Sequence, residues 1–140
     1  MPDLLPPDDR TIDDDEFLYR RIYPAPQNLV QSPNGNGYRP ASGSLTDRLP
    51  LSVDRSLLCT PEETRDRDLS KPFHVAQIFV SVVRAAGCRV VADPKDDNLA
   101  HVLIYGSGEN GSLSKSQTRN IARQALIILI NGIAPEPPGL

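Results

Sequence analysis

The residues with most chemical potential lie between 93 and 101. There Asp93, Asp96, Asp97, Asn98 and His101 separate the apolar run VVA from the apolar run HVLIY. Carboxylate, amide and imidazole groups this close could ligate a metal, or could set an imidazole to work as an acid or base. The spacing argues against both. The run lacks the alternating oxygen ligands, glycine and terminal Glu of a calcium loop, and no second His stands at metalloprotease distance. The same residues suffice as a turn, because Asp93 before Pro94 starts a reversal, Asn98 can bond nearby backbone, and His101 opens the next strand. The expectation is a structural His101, bonded to the preceding turn, with no metal.

Other combinations are weaker. Cys59, Cys88, His74 and His101 supply the numbers for a two-Cys, two-His zinc site or a Cys–His nucleophile, but none of the short paired spacings of a zinc site is present. Two irregularly placed cysteines make no disulfide framework, and sequence alone leaves their pairing open. The segment GSGENGS (106–112) sits between an expected strand and an expected helix, where backbone N–H groups could cradle phosphate. Its glycines miss the full dinucleotide spacing and no Gly-Lys-Ser follows, so a flexible connector is expected.

A more widely separated set is Arg20 in LYRRI with Ser42 and Ser44 in RPASGS, which on adjacent strands could hold a dinucleotide. This order is loosely similar to RES-type and ADP-ribosyltransferase-like toxins. The resemblance implies an NAD cleft built around Arg20 and Ser42; were the chain an enzyme, the catalytic candidates would be Arg20, Ser42 and His101. The later strand-borne Glu of that pattern is missing, since only Glu109 and Glu136 follow Glu63. The longer succession LYRRI, RPASGSLTD, LSVDR and DPKDDNLAHVLIYG is similar to a group of small bacterial proteins of uncharacterised function, which implies a bacterial origin and an intact domain.

Charge is distributed unevenly. Residues 1–16 carry seven carboxylates and one Arg, a net −6, whereas the remainder carries 14 basic and 11 acidic side chains, a net +3, and 11 of those 14 are Arg. Arg suits bidentate carboxylate and phosphate recognition, yet +3 over so long a segment fits a salt-bridged surface better than a nucleic-acid face. The acidic, Pro-bearing residues 1–16 are expected to form a disordered tail. MPDLLPPDDR turns acidic where a secretion signal would be apolar, and ALIILI is too short to span a membrane, so a cytoplasmic protein is expected.

The elements that must position these residues follow from periodicity. FLYRRIYP (17–24) alternates as a strand, NLVQ can extend briefly before the Asn-Gly reversal in SPNGNG, and YRPASGSLTD follows as an irregular or edge segment. LPLSVDRSLL (49–58) fits a strand or a short helix equally. Thr60, Pro61 and Glu63 predict a capped helical start. Val75, Ile78, Phe79, Val82, Val83 and Ala86 form a helical stripe over 72–86, with Ser70 as cap and Gly87 as stop. CRVVA and HVLIY read as buried strands, and a second helix is predicted from about Lys115 to Asn131, with Ser112 or Ser114 as cap and Ile121, Ala125, Ile128 and Leu129 facing inward.

These elements predict an α+β fold: one domain over 17–132, with a small, mostly antiparallel sheet packed by two main helices, and a flexible Pro-rich tail at 133–140. The function expected is that of a non-enzymatic protein-interaction module with no cofactor and no membrane contact. An NAD-using toxin-like enzyme and an RNA-binding or nuclease protein are the alternatives.

Overall fold

The computed structural model describes residues 5–32 and 37–130. Eight strands and three helices follow in order: β1 (Phe17–Ile22), β2 (Leu29–Gln31), β3 (Tyr38–Pro40), β4 (Leu51–Arg55), α1 (Pro61–Asp66), β5 (His74–Phe79), α2 (Val80–Ala85), β6 (Arg89–Ala92), β7 (His101–Tyr105), α3 (Lys115–Gln124) and β8 (Leu126–Leu129). Six strands form one sheet in the order β6-β7-β4-β1-β5-β8, antiparallel throughout, and β2 and β3 pair as a separate ribbon. This is the expected antiparallel α+β architecture. It has one main helix, the ten-residue α3, and two short ones, in place of two main helices.

Alternation along each strand divides the sheet into two faces. Leu18 and Ile22, Leu51 and Val53, Ala76 and Ile78, Val90, Val102, Ile104 and Ile127 belong to the larger core. Val80 and Val83 of α2, Ile121 and Ala122 of α3, and Leu45 and Leu113 from the loops close over them. Tyr19, Val75 and Leu129 form a smaller cluster on the opposite face with Cys59 and Ala100.

Two helix expectations are corrected. The 72–86 segment is strand β5 followed by the six-residue α2. β5 lies between β1 and β8, and Val75, Ala76 and Ile78 are all buried, so it is apolar on both faces. A strand buried on two faces loses its alternation and can imitate a helical stripe. Ser70 accordingly caps nothing. The helix expected to reach Asn131 ends at Gln124, and the β-branched run after it becomes β8, with Ala125 extended at φ −82°, ψ 160°. The local signals at the other boundaries hold. Thr60 and Glu63 form a reciprocal capping box around Pro61, Ser114 and Gln117 form another, and Gly87 follows α2 at φ +88°. LPLSVDRSLL resolves as strand β4 over Leu51–Arg55 followed by a turn.

The acidic N-terminal segment, expected to be free of the body, packs on it over residues 5–16. Ile12 is fully buried in the larger core. Asp9 N–H donates to Val90 O (2.8 Å) and Val90 N–H to Asp8 Oδ1 (2.8 Å), covering the outer edge of β6. Arg84 holds Asp8 through Nε, Asp14 through one terminal nitrogen (2.6 Å) and Asp9 O through the other (2.9 Å). Glu16 takes a bidentate pair from Arg55 (3.0 and 2.8 Å). Reckoning the segment by its own composition left out the counter-charges that the Arg-rich body supplies. Residues 1–4, the Asn-Gly residues 33–36 expected to reverse the chain and the tail expected at 133–140 lie outside the described residues.

Candidate functional site

The site forms where the sheet splits. β5 pairs with all six residues of β1, and β4 pairs with β7 from Leu51 to Asp54, but the β1–β4 ladder consists of Leu18↔Arg55 and Tyr19↔Asp54 alone. Beyond that point β1 and β4 diverge. Arg20 reaches across the gap and donates to Ser52 O (3.0 Å), a carbonyl that continued pairing would have offered to the β1 backbone. Arg20 Nε is a buried polar atom with no hydrogen-bond partner among the described residues. Burial lowers the pKa of this guanidinium, opposed by the charge of Asp47 and reinforced by Arg21.

A cleft of about 310 Å³ opens over the split, walled by β1 and β4, by the end of α1 and by the 95–98 turn between β6 and β7. Arg20, Arg21, Arg67 and Lys95 line it together with Asp54 and Asp97, four cationic side chains against two anionic, so its formal charge apart from histidine is +2. That volume is at the lower end of the range for small-molecule sites.

Asp54 joins the walls. It is 4% exposed and accepts from Thr64 Oγ1 (2.7 Å) and Arg67 Nε (2.8 Å) on one oxygen and from Asn98 Nδ2 (2.8 Å) on the other. Burial alone would raise its pKa, but the bonds from Asn98, Arg67 and Thr64 together outweigh burial and hold the carboxyl below its ordinary value. Asn98 is itself fixed, because its Oδ1 accepts from Ala100 N–H (3.1 Å). Arg21 ties β1 to α1 by donating to Thr64 O (3.1 Å).

His101 stands beside Asp54 in register, and its Nδ1 lies 3.1 Å from Asp93 O and 2.9 Å from Asp93 Oδ2. It is therefore bonded to the preceding turn, as the sequence suggested, and it also lines the cleft, which the sequence did not show. Of the three catalytic candidates, Arg20 and His101 both line this cleft. Ser42 opens a 3-10 turn (Ser42–Leu45) and is not among the cleft's lining residues, while Ser44 shares a neighbouring cavity of about 230 Å³ with Arg20 and Arg21.

Sequence reasoning missed Asp54, Thr64, Arg67 and Asn98 as one network. The sequence offered little signal, because Asp54 falls with Ser52 on the polar phase of LSVDR, where an exposed carboxylate is ordinary.

The other candidate groups are placed elsewhere. Cys59 and Cys88 are both free and buried, in separate clusters. Burial pushes the Cys88 thiol up to about 11 and raises that of Cys59, the latter against a hydrogen bond shared with Thr64. Among the described residues, no group of three or more His, Cys, Asp or Glu is placed to hold a metal ion. GSGENGS folds on itself, with Gly106 N–H bonded to Gly111 O (2.8 Å) and Gly108 N–H to Ser112 O (2.7 Å). A Cβ on Gly106 would meet Leu113 Cα at 2.5 Å, so close packing explains that glycine without a phosphate.

An antiparallel α+β domain with a cationic cleft in its split sheet is thus the class that fold and site define. No helix among the described residues is long and apolar enough to cross a membrane. The chain matches no family model, and neither curated proteins nor solved structures show a significant similarity to it.

Proposed function

We propose that this protein is a non-enzymatic interaction module of the bacterial cytoplasm that docks an anionic group of its partner in the β1–β4 cleft. One observation carries this: Arg20 places a desolvated cation in the gap of the sheet with Nε buried and unpartnered. A buried donor without an acceptor is costly, and an oxyanion entering the gap would supply one. The net positive lining favours the same ligand. The groups that could do chemistry are engaged in holding the walls, since both oxygens of Asp54 and the Thr64 hydroxyl are already bonded. Two free, buried thiols suit a reducing compartment.

Isothermal titration of the full chain with inorganic phosphate and with acetate tests this. Saturable binding of at least one anion is expected, weakened about tenfold or more in Arg20→Gln. Lys95→Gln, whose side chain is 56% exposed, gives a second variant that leaves folding intact and should weaken binding less. Absence of binding by either anion, or affinities equal in wild type and both variants, would overturn the assignment.

A second possibility rests on His101. Asp93 fixes Nδ1, which leaves Nε2 as the ring's remaining polar atom, and such an imidazole can take the proton of a water that attacks a bound phosphodiester, the P–O bond to the leaving oxygen breaking and that oxygen taking a proton from solvent. Turnover of a phosphodiester by the purified wild type, abolished in a folded His101→Asn, would establish that activity in place of the docking role.

A further inference from the structure

Leu57, Leu58 and Leu99 are 71%, 52% and 69% exposed, although each is a large aliphatic residue. Leu57 and Leu58 lie in the connection from β4 to α1, and Leu99 lies in the turn before β7. Arg55 N–H donates to Ala100 O (2.8 Å), so these two segments meet at one end of the β4–β7 pair. Both lead directly into the walls of the cleft. The first runs on to Thr64, and the second contains Asn98, whose side chain is bonded to Asp54. The turns are also held in place, since Leu57 N–H donates to Glu16 Oε2 (3.3 Å) and Leu58 N–H to Arg55 O (3.1 Å). None of the three is among the cleft's lining residues, but Leu99 adjoins Asn98, which is, and Leu57 and Leu58 follow Asp54 by three and four residues, so the anchored turns place them outside the cleft's mouth as an outer apolar rim.

Resting on the docking role above, we propose that the partner is a protein segment carrying an acidic side chain among apolar ones. The carboxylate enters the gap at Arg20, and the apolar residues cover Leu57, Leu58 and Leu99. Charge complementarity fixes the acidic element, because the lining is net positive. The rim fixes the apolar one: free phosphate would satisfy Arg20 and leave the leucines in water, and a nucleic-acid backbone presents anions without aliphatic groups to lay on them.

Selection of randomised short peptides on the full-length protein, followed by fluorescence anisotropy with the recovered peptides, tests the pairing. Recovered sequences should combine Asp or Glu with nearby Leu, Ile, Met or Phe. Replacing the acid with its amide, or the apolar residues with Ser, should each weaken binding about tenfold or more. The double variant Leu57→Ser/Leu99→Ser changes exposed side chains and should keep the melting midpoint. It should lose peptide affinity by a similar factor while binding phosphate or acetate as the wild type does. Peptides recovered without an acid, or without apolar neighbours, would overturn the proposal, as would no enrichment or undiminished binding by the double variant. If anions still bind through Arg20 in those cases, the cleft assignment survives alone. If neither peptide nor anion binds, both fail. A single-stranded oligonucleotide binding more tightly than any peptide, indifferent to Leu57 and Leu99, would replace the protein partner with a nucleic acid.

Discussion

Asp54→Asn changes one oxygen to nitrogen at the point where β4, α1 and the 95–98 turn are joined. The amide oxygen can serve either the Thr64 and Arg67 side or the Asn98 side, and the amide nitrogen must face donors on the other. Asn98 cannot turn its own oxygen inward without giving up Ala100 N–H. At least one buried donor therefore loses its acceptor, and Arg67 loses its counter-charge. Hydrogen bonds to a buried carboxylate are worth about 1.5–3 kcal/mol each, but Arg67 is 24% exposed and its share is screened. A net loss of about 2–4 kcal/mol is expected, a fall of roughly 10 °C in melting midpoint for a domain of this size. The effect should also depend on pH. The folded-state pKa of Asp54 lies below its ordinary value of 3.8, so the stability it contributes is fully present above that value. It is lost as pH falls through the lower, folded-state value. Urea unfolding of wild type and variant from pH 7 to pH 3 should show a gap that is constant near neutrality and narrows below about pH 4. A midpoint within 2 °C of wild type at neutral pH, or a gap that widens in acid, would refute the account of Asp54 as the tie between the walls.

Three further outcomes follow from burial and capping. Ile12→Ala should cost about 2–4 kcal/mol in chemical denaturation, because Ile12 is fully buried in the larger core, and an effect below about 0.5 kcal/mol would show that the N-terminal segment leaves the body in solution. Ile78→Asp places a carboxylate in the interior of the sheet and should abolish cooperative unfolding, whereas a soluble variant with a normal transition would contradict the placement of β5. Gln117→Ala removes the Ser114 capping partner and the bonds to Ser107 N–H and Ala86 O. It should lower stability by about 2 kcal/mol or more, and circular dichroism should report loss of helix at α3.

What the sequence determined by itself was local. Thr60-Pro-Glu-Glu and Ser114-Lys-Ser-Gln carry their capping boxes in consecutive residues, FLYRRI carries the alternation of a strand, and HVLIY the apolar, β-branched composition of a buried one, so neighbours along the chain suffice to define them. The tertiary structure alone decided the rest. Burial of β5 on both faces erased the period that would have separated strand from helix, and β8 formed because β5 offered an open edge to LIIL. The acidic segment found its partners in Arg84 and Arg55, about 70 and 40 residues away in the chain, beyond what a count of its own charges could register. The cleft has the same origin. Arg20, Asn98 and His101 stood out singly and Asp54 and Thr64 not at all, and they become one site because the β1–β4 ladder stops after Tyr19↔Asp54 and α1 and the 95–98 turn close over the gap. Strand divergence is set by how three non-adjacent segments pack, and no local run of residues encodes it.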